Sequence, residues 1–243
     1  MQASTILRIV NPASGSIVRE VECDSRRALD SKLDLARAAQ RRWRERPLAQ
    51  RVGELRAALG YFGREKETVA RDVSLEMGKP IVQARGEVDT LLARAEHMLG
   101  LAPECLAREV LPGKPGFELR IEHEPLGLVL DIAAWNYPLI VPVNVVIPAL
   151  AAGNAVVLKH SPKTPGAGLH FARALASLSE PAVFAHVIVP DREASTLVAD
   201  PRIDHIAFTG SVGTGKAVYR SASERLIDVG LELGGKDPAY VAE

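Results

Sequence analysis

The chain has 243 residues with 30 basic and 30 acidic side chains, so its formal net charge is zero. That length supports one or two domains with a real core, and the balanced charge argues against a nucleic-acid partner. Two cysteines, Cys23 and Cys105, suggest neither a disulfide framework nor a metal site, and the default setting is reduced and cytoplasmic.

In chain order, the N-terminal MQASTILRIVNPASG lacks the basic start and long apolar core of a signal peptide. The first hundred residues read as helical. Leu29, Leu33, Ala36 and Trp43 share a face after a cap at Asp24 or Ser25. Leu48, Val52, Leu55, Leu59 and Phe62 recur at helical spacing after Pro47. Ile81, Val88, Leu92, Ala95 and Leu99 make another stripe, with Gly100 as its stop, and Gly78 followed by Pro80 ends the helix before it. RRWRER (41–46) reads as a solvated helix face.

The period then becomes two. In FELRIEH (117–123), Phe117, Leu119 and Ile121 alternate with Glu118, Arg120 and Glu122, which predicts a half-exposed strand. Further on, short apolar strands alternate with helices: strands at 127–133, 154–160, 186–190, 205–210 and 227–233, with helices over roughly 142–152 and after Pro165. This texture predicts a parallel, doubly wound sheet that binds ligands at the carboxyl ends of its strands. No charge falls between Ile132 and Leu158, but Pro138, Pro142, Pro148, Asn136, Asn144 and Asn154 argue against a membrane span.

Four strand-end motifs carry candidate chemistry. FTGSVGTGKA (208–217) follows a strand and opens a helix, a geometry suited to phosphate. Ala217 stands where a P-loop needs a metal-binding hydroxyl, and Val218 where a GxGxxG fingerprint needs its last glycine; a plain tight turn remains open. Asn136 in AAWNYP (133–138) is either a donor to a developing oxyanion or a turn residue. Lys159 in LKHSPKTP (158–165) either reaches ribose or phosphate or snorkels, and His160 has no visible metal partner. Glu232 in LELGGKDP (231–238) is either a partly buried general base with a raised pKa or a strand-end carboxylate paired to a lysine.

Taken together and in this order, NPASG (11–15), EMGKP (76–80), EPLGLVLDIAAWNYP (124–138), PALAAGNAVVLKHSPKTP (148–165), DPRIDHIAFTGSVGTG (200–215) and GLELGGKDPAYV (230–241) resemble the aldehyde dehydrogenase superfamily. The resemblance implies an α/β fold: a helical part of the cofactor-binding domain over 1–113, an oligomerisation-arm strand region over 114–126, a Rossmann-like sheet over 127–231 and the start of a catalytic domain over 232–243. It implies NAD or NADP as cofactor and a small aldehyde as substrate. Asn136 would belong to the oxyanion hole and Glu232 would be the general base. Lys159 would bind the adenosine ribose, Gly210, Ser211 and Gly215 the pyrophosphate, and Ile132 and Trp135 would line the cofactor cleft. In the family, a cysteine thiolate attacks the aldehyde, hydride passes to the nicotinamide, and water hydrolyses the thioester.

This sequence departs from the family pattern in three places. The family nucleophile lies beyond the glutamate motif, and neither Cys23 nor Cys105 sits in a comparable setting, so the expectation is an N-terminal cofactor-binding half without catalytic cysteine. By itself it would be inactive, homo-oligomeric when full length; the alternative is an inactive dinucleotide-binding fragment or a partner of a full-length homologue. Pro162 replaces a carboxylate that many members use to bind the adenosine hydroxyls, and Lys163 follows it, which implies that NADP is tolerated. PDREAS (190–195) replaces a glycine-rich turn. The truncated sheet and unpartnered arm would also leave apolar surface bare.

Overall fold

A computed structural model describes residues 5–242. The chain opens on a hairpin, which corrects the reading of the first hundred residues as wholly helical. Strands β1 (Ile6–Val10) and β2 (Ile17–Glu22) pair antiparallel. The β-branched side chains of Ile6, Ile9, Val10, Ile17, Val18 and Val21 suit a pleated ribbon. Asn11 closes the turn, its Oδ1 accepting the N–H of Ala13 at 2.8 Å, and Gly15 adopts a left-handed φ of 72°.

Four helices follow: α1 (Arg26–Arg44), α2 (Leu48–Arg64), α3 (Lys66–Met77) and α4 (Ile81–Cys105). Ser25 is the cap of α1, its side chain accepting the N–H of Ala28 at 3.2 Å. Leu29, Leu33, Ala36 and Trp43 are buried, as are Val52, Leu55, Leu59 and Phe62 on α2. Gly78, with φ 80°, ends α3 by donating its N–H to the Ser74 carbonyl. Gly100 does not stop α4, which continues to Cys105. A helical glycine costs about 1 kcal/mol, and burial of Leu99 and Ala102 on either side outweighs it.

Strands β3 (Glu109–Leu111) and β4 (Leu119–Ile121) form a second antiparallel pair. The expected half-exposed strand at 117–123 is shorter than its alternation suggested. Phe117, Leu119 and Ile121 are all exposed, because nothing among the described residues covers either face.

The rest is an α/β unit. Strands β5 (Leu128–Ile132), β6 (Ala155–Lys159), β7 (Phe184–Val187), β8 (His205–Gly210) and β9 (Val229–Leu233) form one parallel sheet in the order β7–β6–β5–β8–β9. Helices α5 (Ile140–Ala151), α6 (Pro165–Leu175), α7 (Ala194–Val198) and α8 (Val212–Ser223) connect them. Every residue of β5 and β6 is buried, as the apolar runs require. The charge-free run from 132 to 158 is thus a strand end, a loop, α5 and most of β6, and no helix among the described residues is long and apolar enough to cross a membrane.

The N-terminal helices share one core with the sheet. Trp43 donates its indole N–H to the Leu150 carbonyl at 2.8 Å, and Lys32 donates to the His186 carbonyl at 2.7 Å. Arg202 binds Asp30, Asp34 and Asp200 at 2.7–2.8 Å, tying α1 to the turn before β8.

Candidate functional site

The chain runs from β5 outward to β6 and β7, then returns to β8 on the other side of β5. This reversal opens a crevice at the carboxyl ends of the strands, where parallel sheets bind ligands. A cleft of about 770 Å³ lies there. Ile132, Trp135 and Asn136 reach it from the end of β5, Lys159 from β6, Gly210 and Ser211 from β8 and the start of α8, and Glu232 from β9. Gly215 is the one anticipated site residue that does not line it. It lies a turn into α8, where an added Cβ would stand 2.5 Å from Cδ2 of Leu233. Its small size seats α8 against β9.

The loop at 208–217 is a helix start. Ser211 caps α8, accepting the N–H of Thr214 at 3.3 Å. Val212 and Gly213 are the first two helical residues, whose N–H groups have no acceptor within a helix. An added Cβ at Gly210 would meet the Phe208 ring at 2.6 Å, so the backbone turns tightly there. Free N–H groups and the positive end of the helix dipole suit a diphosphate.

Lys159 does not snorkel. Its side chain is 4% exposed, and its ammonium pairs with the carboxylate of Asp191, in the turn before α7. Asp191, Ala194, Ser195 and Val198 extend the cleft on that side. Trp135 and Lys163 also line it, with Nζ of Lys163 4.6 Å from the indole centroid. Asn136 is exposed in the cleft. Glu232 is exposed as well, which corrects the expectation of a partly buried carboxylate. β9 is the edge strand, with a neighbour on one side only.

Several residues that sequence reasoning gave no role, or only a structural one, hold these loops in place. His160 is buried, and burial pushes its imidazole down to about 4, so it is neutral. Its Nε2 lies 2.9 Å from the Pro138 carbonyl, which can only accept, so Nδ1 accepts from the Thr164 hydroxyl at 3.1 Å. One ring thereby ties the Asn136 loop to the start of α6. The EMGKP stretch holds both loops from behind. Glu76 accepts the N–H of Gly166 at 3.0 Å, and Lys79 pairs with buried Glu87, whose Oε1 accepts the N–H of Leu139 at 2.8 Å. Its conspicuous Glu-Met-Gly-Lys-Pro spelling was the available signal.

No cysteine lines the cleft: Cys23 is buried ahead of α1, and Cys105 is exposed at the end of α4. Among the described residues no group of His, Cys, Asp and Glu is arranged to hold a metal ion.

The model of the aldehyde dehydrogenase family matches residues 1–243. Over 239 residues the chain is 34% identical to a 3,6-anhydro-alpha-L-galactose dehydrogenase of Streptomyces coelicolor, covering 98% of this chain and 48% of that protein. It is 34% identical over 235 residues to a probable succinate-semialdehyde dehydrogenase (NADP+) of Synechocystis, covering 96% and 52%. Among solved structures, the succinic semialdehyde dehydrogenase of Streptococcus pyogenes in complex with NADP+ superposes with a TM-score of 0.89 at 25% identity, covering 95% of this chain and 51% of that one. The chain spans about half the length of the relatives it matches.

Proposed function

The chain belongs to the aldehyde dehydrogenase family, and from that premise we propose that its cleft binds NAD+ or NADP+ for the oxidation of a small aldehyde to a carboxylate. One observation carries the reading: a buried lysine ammonium at the end of β6 and the open N-terminus of α8 face the same cleft at the sheet's reversal point. The residues fit a dinucleotide. Lys159 would hold the adenosine ribose, the backbone around Gly210 and Ser211 the diphosphate, and Ile132 and Trp135 the walls toward the nicotinamide, with Gly215 allowing α8 its close approach to β9.

When bound, the nicotinamide supplies the hydride acceptor. The protein's part is to hold charge and move protons. The amide of Asn136 donates to an oxygen that becomes negative as a nucleophile adds to the aldehyde; such a donor is worth roughly 10²–10³ in rate. Glu232, in reach of solvent, takes the proton first from the attacking thiol and then from water. That thiol must come from outside the described cleft, which contains no cysteine. In this reading the chain supplies the cofactor-binding part and does not oxidise aldehydes alone, and the enzyme works as a cytoplasmic homo-oligomer joined through the β3–β4 arm. A second reading, an inactive dinucleotide-binding partner of a full-length homologue, is favoured by the same lack of cysteine and by the bare apolar side chains of that arm.

Calorimetric titration of the chain with NAD+ and NADP+, beside Lys159→Ala, tests the cofactor reading. The expected outcome is saturable binding of at least one nucleotide, lost in the variant. A folded chain that binds neither would sink it.

A further inference from the structure

Asp191 gives the cleft a property that the lysine-rich 159–163 segment alone would not have. Its ion pair with Lys159 is lopsided: the ammonium side chain is 4% exposed and the carboxylate 73%. The lysine is held by the buried strand, and Asp191 stands on its solvent side, inside the cleft. Oδ1 accepts from the ammonium, and the exposed carboxylate stays open to the cleft.

Two carboxylates line the cleft, Asp191 and Glu232. Glu232 is on β9, three strands from β6, and strands lie about 4.8 Å apart, so it is out of reach of a group bound at Lys159. Pro162 and Ser161, which follow Lys159 into the cleft, have no carboxylate. Asp191 is therefore the acidic neighbour of anything Lys159 holds.

Building on the reading that Lys159 holds an adenosine ribose, we propose that Asp191 is a specificity-determining residue that selects a free 2′-hydroxyl over a 2′-phosphate. A ribose hydroxyl at Lys159 donates to the open carboxylate oxygen and leaves the ion pair intact. A 2′-phosphate at the same place meets a like charge within contact distance and competes with Asp191 for one buried ammonium. A second cation of the cleft lining, Lys163, is drawn over the Trp135 ring. With Asp191 neutral, Lys159 and Lys163 become two cations free for the phosphate. The acidic group missing at position 162 is supplied from a different loop, and the chain prefers NAD+ where its basic segment alone would tolerate NADP+.

The test is binding of NAD+, NADP+, adenosine 5′-monophosphate and adenosine 2′,5′-bisphosphate to the wild-type chain and to Asp191→Asn, by calorimetry and by quenching of Trp135 fluorescence. Asp191→Ser serves as a second neutral variant and Asp191→Glu as the charge-preserving one, with circular dichroism to verify folding. The wild type is expected to prefer the nucleotides without a 2′-phosphate. Both neutral variants are expected to move the NADP+/NAD+ affinity ratio by about tenfold or more toward NADP+, and Asp191→Glu to keep the wild-type preference. A wild type that prefers NADP+, or neutral variants whose ratio stays within about twofold of wild type, overturns the role of Asp191 and leaves the cofactor reading standing. A folded wild type that binds none of the four overturns both.

Discussion

Asp131 is the fourth of five residues in the central strand β5, buried, with its Oδ2 unpartnered. Burial pushes its carboxyl well above the ordinary range. The sign follows from linkage: a pKa raised in the folded state contributes stability that is present below the unfolded value and lost as pH rises through the folded one. Asp131→Asn keeps the shape and removes the titration. Its unfolding midpoint in urea should exceed that of wild type at pH 8, and the gain should shrink toward pH 4. A gain independent of pH would refute this account. Residue-scale legibility was uneven for a physical reason. Lys159 and Asn136 could be placed at strand ends because a buried run must stop somewhere, and the run itself marks the stop. The exposure of Glu232 could not be read, because whether a strand is central or an edge depends on which other strands flank it. Asp191 was illegible for a similar reason, since 32 residues separate it from Lys159.

Helix α6 shows what two elements impose on each other. A Cβ added at Gly168 would lie 2.2 Å from Nε2 of His186 on β7 and 2.6 Å from two ring carbons. The ring is buried, its Nε2 has no partner, and burial lowers its pKa to about 3, so it stays neutral. Gly168→Ala should therefore cost about 1–3 kcal/mol by overpacking. In a double-mutant cycle the same change should cost little in a His186→Ala background; equal costs in both backgrounds would count against the contact. The sequence carried the pattern of this element but not its partner: Pro165 marked the start of α6 and NAVVLKH marked β6, whereas the pairing of a small residue with a ring on the next strand is a tertiary fact. The β1–β2 hairpin was legible in retrospect from its β-branched residues, and was lost to the strong helical stripe that follows. Gly100 was over-read, because a glycine interrupts a helix only when neighbouring burial fails to offset its cost.

At the scale of the whole molecule, the parallel sheet is well covered at β5 and β6, whereas the separate β3–β4 arm and the β9 margin are bare. Val110 and Phe117 on the β3–β4 arm are 70% and 71% exposed, and Val212, Tyr219 and Leu233 on the α8–β9 side are exposed too. Apolar edges of this kind pair with other chains. The chain should self-associate with rising concentration in light scattering, and Val110→Lys with Phe117→Lys should weaken that association without lowering the unfolding midpoint. A monomer at all concentrations would contradict the prediction. The doubly wound sheet was readable from alternating texture alone, but the joining of the N-terminal helices and the sheet into one core was not, because it rests on contacts such as Lys32 with the His186 carbonyl, 154 residues apart. That separation also matters on the ribosome. At about 5–20 residues per second, α1 emerges on the order of ten seconds before the strand that receives it. For that interval the face bearing Leu29, Leu33 and Trp43 has no strand to bury it, and the yield of folded protein depends on how long a nascent amphipathic helix can wait without finding another nascent chain.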